Sequence, residues 1–210
     1  MEDIGRFVIG DAGYLALYGD GEPARRVTSA GASASGSLPG ARTLLREAGS
    51  GLAVCIYYPD HLVSCLERHD PTRRLDDGNV DALAVLVEEL DHFLTIAERF
   101  RRGGVMSLLE LELHANITKY LVLKLFLAKH RRVQRLAPSD TAWIRYHLFD
   151  KAEFAEQDPD LQARYRDAAR LAARYVGALD LMPPDRRLAE LRRFHRLSPQ
   201  AKHARIASLS

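Results

Sequence analysis

From Asn79 onward, residues that start helices punctuate the chain at helix-length intervals. Asn79 precedes one run of helically spaced apolar residues. Pro138-Ser139-Asp140 and Asp158-Pro159-Asp160 precede two more, and Pro183-Pro184 and Ser198-Pro199 precede two short ones. Asn, Ser and Asp side chains accept hydrogen bonds from the free N–H groups of a first helical turn. Proline suits the first helical position because its φ is already helical and the N–H it lacks has no partner there. The pattern predicts helices over Val80–Arg101, from about Val105 to His130 after the break at Gly103-Gly104, through "TAWIRYHLFDKAEFA", and through "LQARYRDAARLAARYVGAL". Two short helices follow Pro184 and Pro199. A chain cut this way has to bury its apolar stripes in a helical bundle.

The first part of the chain reads differently. "GRFVIG" and "YLALY", separated by "DAG", predict a hairpin of Phe7–Ile9 with Tyr14–Tyr18. A Gly/Ser/Ala-rich loop follows, without the Gly-Lys-Ser/Thr of a phosphate loop. "RTLLREA" predicts a short helix closed by Gly49, "GLAVCIYYP" a strand, and Asp60 the cap of the helix "HLVSCLERH". The expected class is α+β: a small N-terminal β-sheet, made of a hairpin plus one strand, followed by a predominantly helical C-terminal bundle. The chain reads as one domain over residues 1–210, β-containing over 1–75 and helical over 76–210.

Composition excludes several classes of function. A net charge of +2 in 210 residues gives no global attraction to nucleic acid. Cys55 and Cys65 form no CxxC pair, and the opening "MEDIGRFVIG" has no basic-then-apolar signal pattern, so a cytoplasmic, reducing location is expected. The helix from Val105 is interrupted by Glu110, Glu112, His114, Lys119 and Lys124, which argues against a membrane span. The aromatic stretch around Trp143 and His147 reads as core or edge. The tail from Asp185 carries seven Arg or Lys against two acids, along with an apolar stripe, and is expected to dock on the acidic first long helix.

The concentrated chemistry is Glu88-Glu89-Leu90-Asp91-His92. At about 100° per residue, Phe100, Phe93, Leu86, Ala97, Leu90, Leu83, Leu94, Val87 and Val80 fill one broad arc, the expected core face. Glu88, His92 and Glu89 fall opposite, with Val85 and Ile96 between His92 and Glu89. The acidic side is therefore expected to lie under a second layer of chain, where carboxylates need a metal, a basic partner or a raised pKa. On the second long helix Glu112, Asn116 and Lys119 share one stripe, and Glu110, His114 and Thr118 another. If the Gly-Gly turn makes the two helices antiparallel neighbours, Glu88 and His92 face either Glu110 with His114, two i, i+4 Glu/His pairs that would make a four-ligand oxygen/nitrogen metal site, or Glu112.

"EELDH" resembles the His-Glu-x-x-His helix of zincin metallopeptidases, with glutamate in place of the first histidine. The resemblance implies zinc or another divalent metal held by Glu88, His92 and a glutamate of the next helix, Glu110 or Glu112, with Glu89 as general base. The missing histidine implies a degenerate relative. Glu89-x-x-His92 is also similar to the Glu-x-x-His of ferritin-like di-iron bundles, which carry it twice, and no second copy is present. The alternative is a non-enzymatic interaction protein, binding another protein, in which the cluster forms a salt-bridge network with Lys119 or nearby arginines.

Overall fold

The computed structural model describes residues 41–48, 51–103, 107–151 and 159–209. They form two strands, β1 (Arg42–Ala48) and β2 (Gly51–Tyr57), and seven α-helices. The helices are α1 (Asp60–Arg68), α2 (Val80–Arg101), α3 (Leu108–Arg131), α4 (Pro138–Arg145), α5 (Pro159–Leu181), α6 (Pro184–Arg196) and α7 (Pro199–Ala207). The class is α+β with a mostly helical bundle. The hairpin expected at Phe7–Ile9 and Tyr14–Tyr18 lies outside the described residues.

One element differs in type. "RTLLREA" is not a helix but strand β1, paired antiparallel with β2 in a register that sets Thr43 against Ile56 and Leu44 against Cys55. Its Leu, Arg, Glu and Ala favour helix in isolation. The β-branched and aromatic run "GLAVCIY" presents an edge whose N–H and C=O groups need partners, and that pairing overrides local preference. The hairpin packs on α2 through Ala41, Ile56 and Tyr58, and the Tyr58 hydroxyl donates to the Leu86 carbonyl at 2.9 Å.

α3 is the central rod, with α2 on one side and α5 on another. Leu113, Ile117, Tyr120, Leu123 and Leu127 of α3 meet Leu83 and Val87 of α2, Ile144 of α4 and Tyr175, Val176 and Leu179 of α5. Gly103 takes φ +65° after α2. That left-handed conformation is cheap only for a residue without Cβ, and it ends the helix so that the chain can turn back. Leu123 is fully buried at the centre of this core. Leu123→Ala is expected to cost about 2–5 kcal/mol in urea unfolding; a loss below 1 kcal/mol would show the interface to be loosely packed.

Two caps differ from expectation. Asn79 precedes α2 but does not cap it: its amide donates to the carbonyls of His69 and Arg74 and accepts from the Asp76 N–H, which ties down the loop ahead of the helix. α3 starts three residues late, where the Ser107 hydroxyl accepts from the Glu110 N–H. The helix from Pro138 runs α-helically only to Arg145 and widens into a π-helical turn over Tyr146–Asp150. No helix among the described residues is long and apolar enough to cross a membrane.

The orientation of α2 is the largest departure. Leu90, Leu94 and Phe100, expected in the core, are exposed, while Glu89, Asp91, His92 and Thr95 are buried. Only Val80, Leu83 and Val87 of the expected apolar arc are buried in the main core. The hairpin on one side and α3 on the other both claim the polar side of the helix, so the acidic cluster is interior.

Candidate metal centre

Four side chains on two antiparallel helices build the centre. Glu88 and His92 sit one turn apart on α2. Glu112 and Lys119 sit two turns apart on the facing stripe of α3. Ligand atoms of Glu88, His92 and Glu112 all lie within 4.8 Å of one another. No other group of three such residues converges this closely among the described residues. Ions bound at about 2.0–2.2 Å hold their ligand atoms roughly 3–3.5 Å apart, so small side-chain rotations close the gap.

Burial makes the group unusual. The His92 side chain is 0% exposed, and its Nε2 lies 3.7 Å from Glu112 Oε2, beyond hydrogen-bonding distance. Among the described residues neither ring nitrogen of His92 has a hydrogen-bond partner, and neither does Glu112 Oε1. A buried donor or acceptor without a partner costs about 1–3 kcal/mol. Glu88 is better served, since its Oε2 accepts from Lys119 Nζ at 2.6 Å.

The electrostatics follow from that arrangement. Burial, then the charge of Glu88, pushes the Glu112 carboxyl up to about 8. Burial and Glu88 also push Glu89 up to about 8, against the hydrogen bond from Thr43. Burial would raise Glu88 too, but the Lys119 ammonium beside it holds it below the usual carboxylate range. Burial pushes the His92 imidazole down, so the ring is neutral and keeps a lone pair for a ligand. Near neutral pH the centre therefore pairs an ionised Glu88 with a protonated Glu112 and a neutral His92, and Glu89, on the hairpin side, is protonated too.

The other expected site residues go elsewhere. Glu89 faces the hairpin, where Thr43 Oγ1 donates to its Oε2 at 2.8 Å. Glu110 Oε1 accepts from Arg99 Nη2 at 2.6 Å and from the buried Lys202 Nζ at 2.5 Å. His114 joins a hydrogen-bonded string. Its Nδ1 lies 2.9 Å from both Asp91 oxygens, its Nε2 lies 3.3 Å from His195 Nδ1, and His195 Nε2 lies 3.1 Å from Glu98 Oε2. Among the ion pairs of the basic tail, His195 with Glu98 ends on the first long helix, and Lys202 with Glu110 ends on the second, so the tail docks on α3 as well as on the acidic α2. An open cleft of about 590 Å³, lined in part by Arg73, Asp77, His130, Arg131 and Trp143, lies apart from the centre, and none of the three converging residues borders it.

Sequence reasoning missed Thr43, Asp91, His195 and Lys202. Thr43 carried no signal, because its segment reads as helix. Asp91 stood inside the quoted cluster, and the i, i+4 relation to Thr95 was the clue that it faces inward. Comparison with protein-family models, with curated proteins and with solved structures finds no match to this chain.

Proposed function

We propose that the protein binds one divalent metal ion through Glu88, His92 and Glu112, as a zincin-like protein that has lost peptidase activity. The observation that carries this reading is His92: a wholly buried imidazole, unpartnered at both nitrogens among the described residues, between the carboxyl groups of Glu88 and Glu112. An ion would take the free lone pair of the ring and displace the proton of Glu112, leaving only the ring N–H without a partner. One imidazole and two carboxylates form a borderline-to-hard donor set, suited to Zn²⁺, Mn²⁺ or Fe²⁺. The one-turn spacing of Glu88 and His92 and a third ligand from the next helix support the zincin-like part of the reading. Three features favour loss of peptidase activity. Glutamate stands where the first histidine belongs, and Glu89, the expected base, is held by Thr43. His92 and Glu112 are also closed off from any substrate as large as a peptide.

Purified protein is expected to take up one equivalent of Zn²⁺ or Mn²⁺ by elemental analysis, and His92→Ala to take up none. A chelator is expected to lower the midpoint of thermal unfolding, and unstructured peptides are expected to remain uncut by the loaded protein. Unchanged metal content in His92→Ala would reject the ligand set, and peptide hydrolysis abolished by Glu89→Gln would reject the loss of activity. The 2.6 Å Glu88–Lys119 pair favours a second reading, a non-enzymatic interaction protein stabilised here by an ion-pair network. In that case the chelator leaves the midpoint where it was.

A further inference from the structure

The two readings meet at one carboxylate. Glu88 belongs to the converging group of three and is also the partner of Lys119. We infer that Lys119 is a tethered counter-ion for the metal centre: its ammonium holds Glu88 when no metal is present, and a metal ion must draw Glu88 away from it. This rests on the metal-binding reading above and names what sets the strength of that binding.

The geometry leaves little alternative. Lys119 lies two turns beyond Glu112 on the same stripe of α3, so its stem runs along the helix toward the ligands. Its side chain is 12% exposed and that of Glu88 16%, so water screens neither charge well. Asn116, between Glu112 and Lys119, is turned onto the Glu112 backbone carbonyl at 2.9 Å and offers Glu88 nothing. A cation placed among Glu88, His92 and Glu112 would stand within a few ångströms of the ammonium in a poorly screened interior, where like charges repel strongly. Either the ammonium retreats or the metal binds weakly. Lys119 thus competes with the metal for a shared ligand, and removing its charge should strengthen binding. A residue that merely supported the fold would weaken binding when removed.

The test is titration of Zn²⁺ and of Mn²⁺, each alone, into wild type, Lys119→Met, Lys119→Arg and His92→Ala. Expected are binding at least tenfold tighter in Lys119→Met, near-wild-type binding in Lys119→Arg, and none in His92→Ala. Equal or weaker binding by Lys119→Met, with wild type binding and His92→Ala silent, overturns the role of Lys119 and leaves the metal centre standing. No binding by wild type or Lys119→Met overturns the metal centre and this inference with it. A second readout needs no variant. Acetylation of Lys119 in the wild-type protein, followed by mass spectrometry, should rise several-fold when saturating Zn²⁺ is present; equal protection with and without metal overturns the displacement of the ammonium.

Discussion

Metal-free protein is expected to lose about 2–4 kcal/mol of stability between pH 6.5 and pH 8. The cause is the pair of carboxyl groups, Glu89 and Glu112, whose folded values stand near 8 against an ordinary value of 4.5. Between those limits the folded chain keeps two protons that the unfolded chain has released. A group raised in this way contributes stability that is complete below its unfolded pKa and is lost as pH rises through its folded one, at about 1.4 kcal/mol per pH unit per proton. His92 works in the opposite sense: burial depresses it, so its contribution is lost as pH falls below about 6.5, and the window above that value isolates the carboxyl groups. Urea midpoints in chelator at the two pH values measure the loss. Glu112→Gln should remove about half of the slope and be more stable than wild type at pH 8. A flat profile, or a slope untouched by Glu112→Gln, would mean that these carboxyls ionise normally. Because a divalent ion takes the place of protons, its stabilising effect should also be larger at pH 8 than at pH 6.5.

Replacing His92 by leucine is expected to separate stability from binding. In chelator, His92→Leu should be more stable than wild type by about 1–2 kcal/mol, because a buried ring with two unpartnered nitrogens gives way to an apolar group of comparable size. With saturating Zn²⁺ the order should reverse. Wild type gains about 2.7 kcal/mol at a hundredfold excess over Kd and the variant gains nothing. Denaturant unfolding of both proteins, with and without metal, gives all four numbers. A variant that is less stable in chelator and still stabilised by Zn²⁺ would show that the imidazole serves packing and that other groups hold the ion.

Much of the helical part was legible because its boundaries are chemical. Pro138, Pro159, Pro184 and Pro199 each open a helix where a missing N–H does no harm. The spacing of Glu88, His92 and Glu112 was legible for a related reason. Helical periodicity puts Glu88 and His92 on one face, and the Gly103 turn brings the next helix alongside. Which stripe of α3 would face them was not legible. Glu110 and Glu112 point to opposite sides of the helix, and the choice between them depends on how α3 is rolled against α5, a long-range packing matter. The same roll sends His114 to Asp91 instead. Strand β1 and the outward turn of Leu90 and Leu94 escaped notice because each depends on partners distant in sequence: β2 for the first, the hairpin and α3 together for the second.

Every charged piece of the centre comes from one stretch of chain, Glu88 to Lys119, folded into a pair of rods. What keeps it dry comes from elsewhere, from the hairpin that carries Thr43 and from the helices behind α3. An excised copy of the rods would present the same groups at the same spacing to bulk water, and its acids would titrate as ordinary surface acids. The reactivity of these side chains is thus a property of their wrapping, and changes made far from them, in the hairpin or in α5, can detune the centre without touching Glu88, His92 or Glu112.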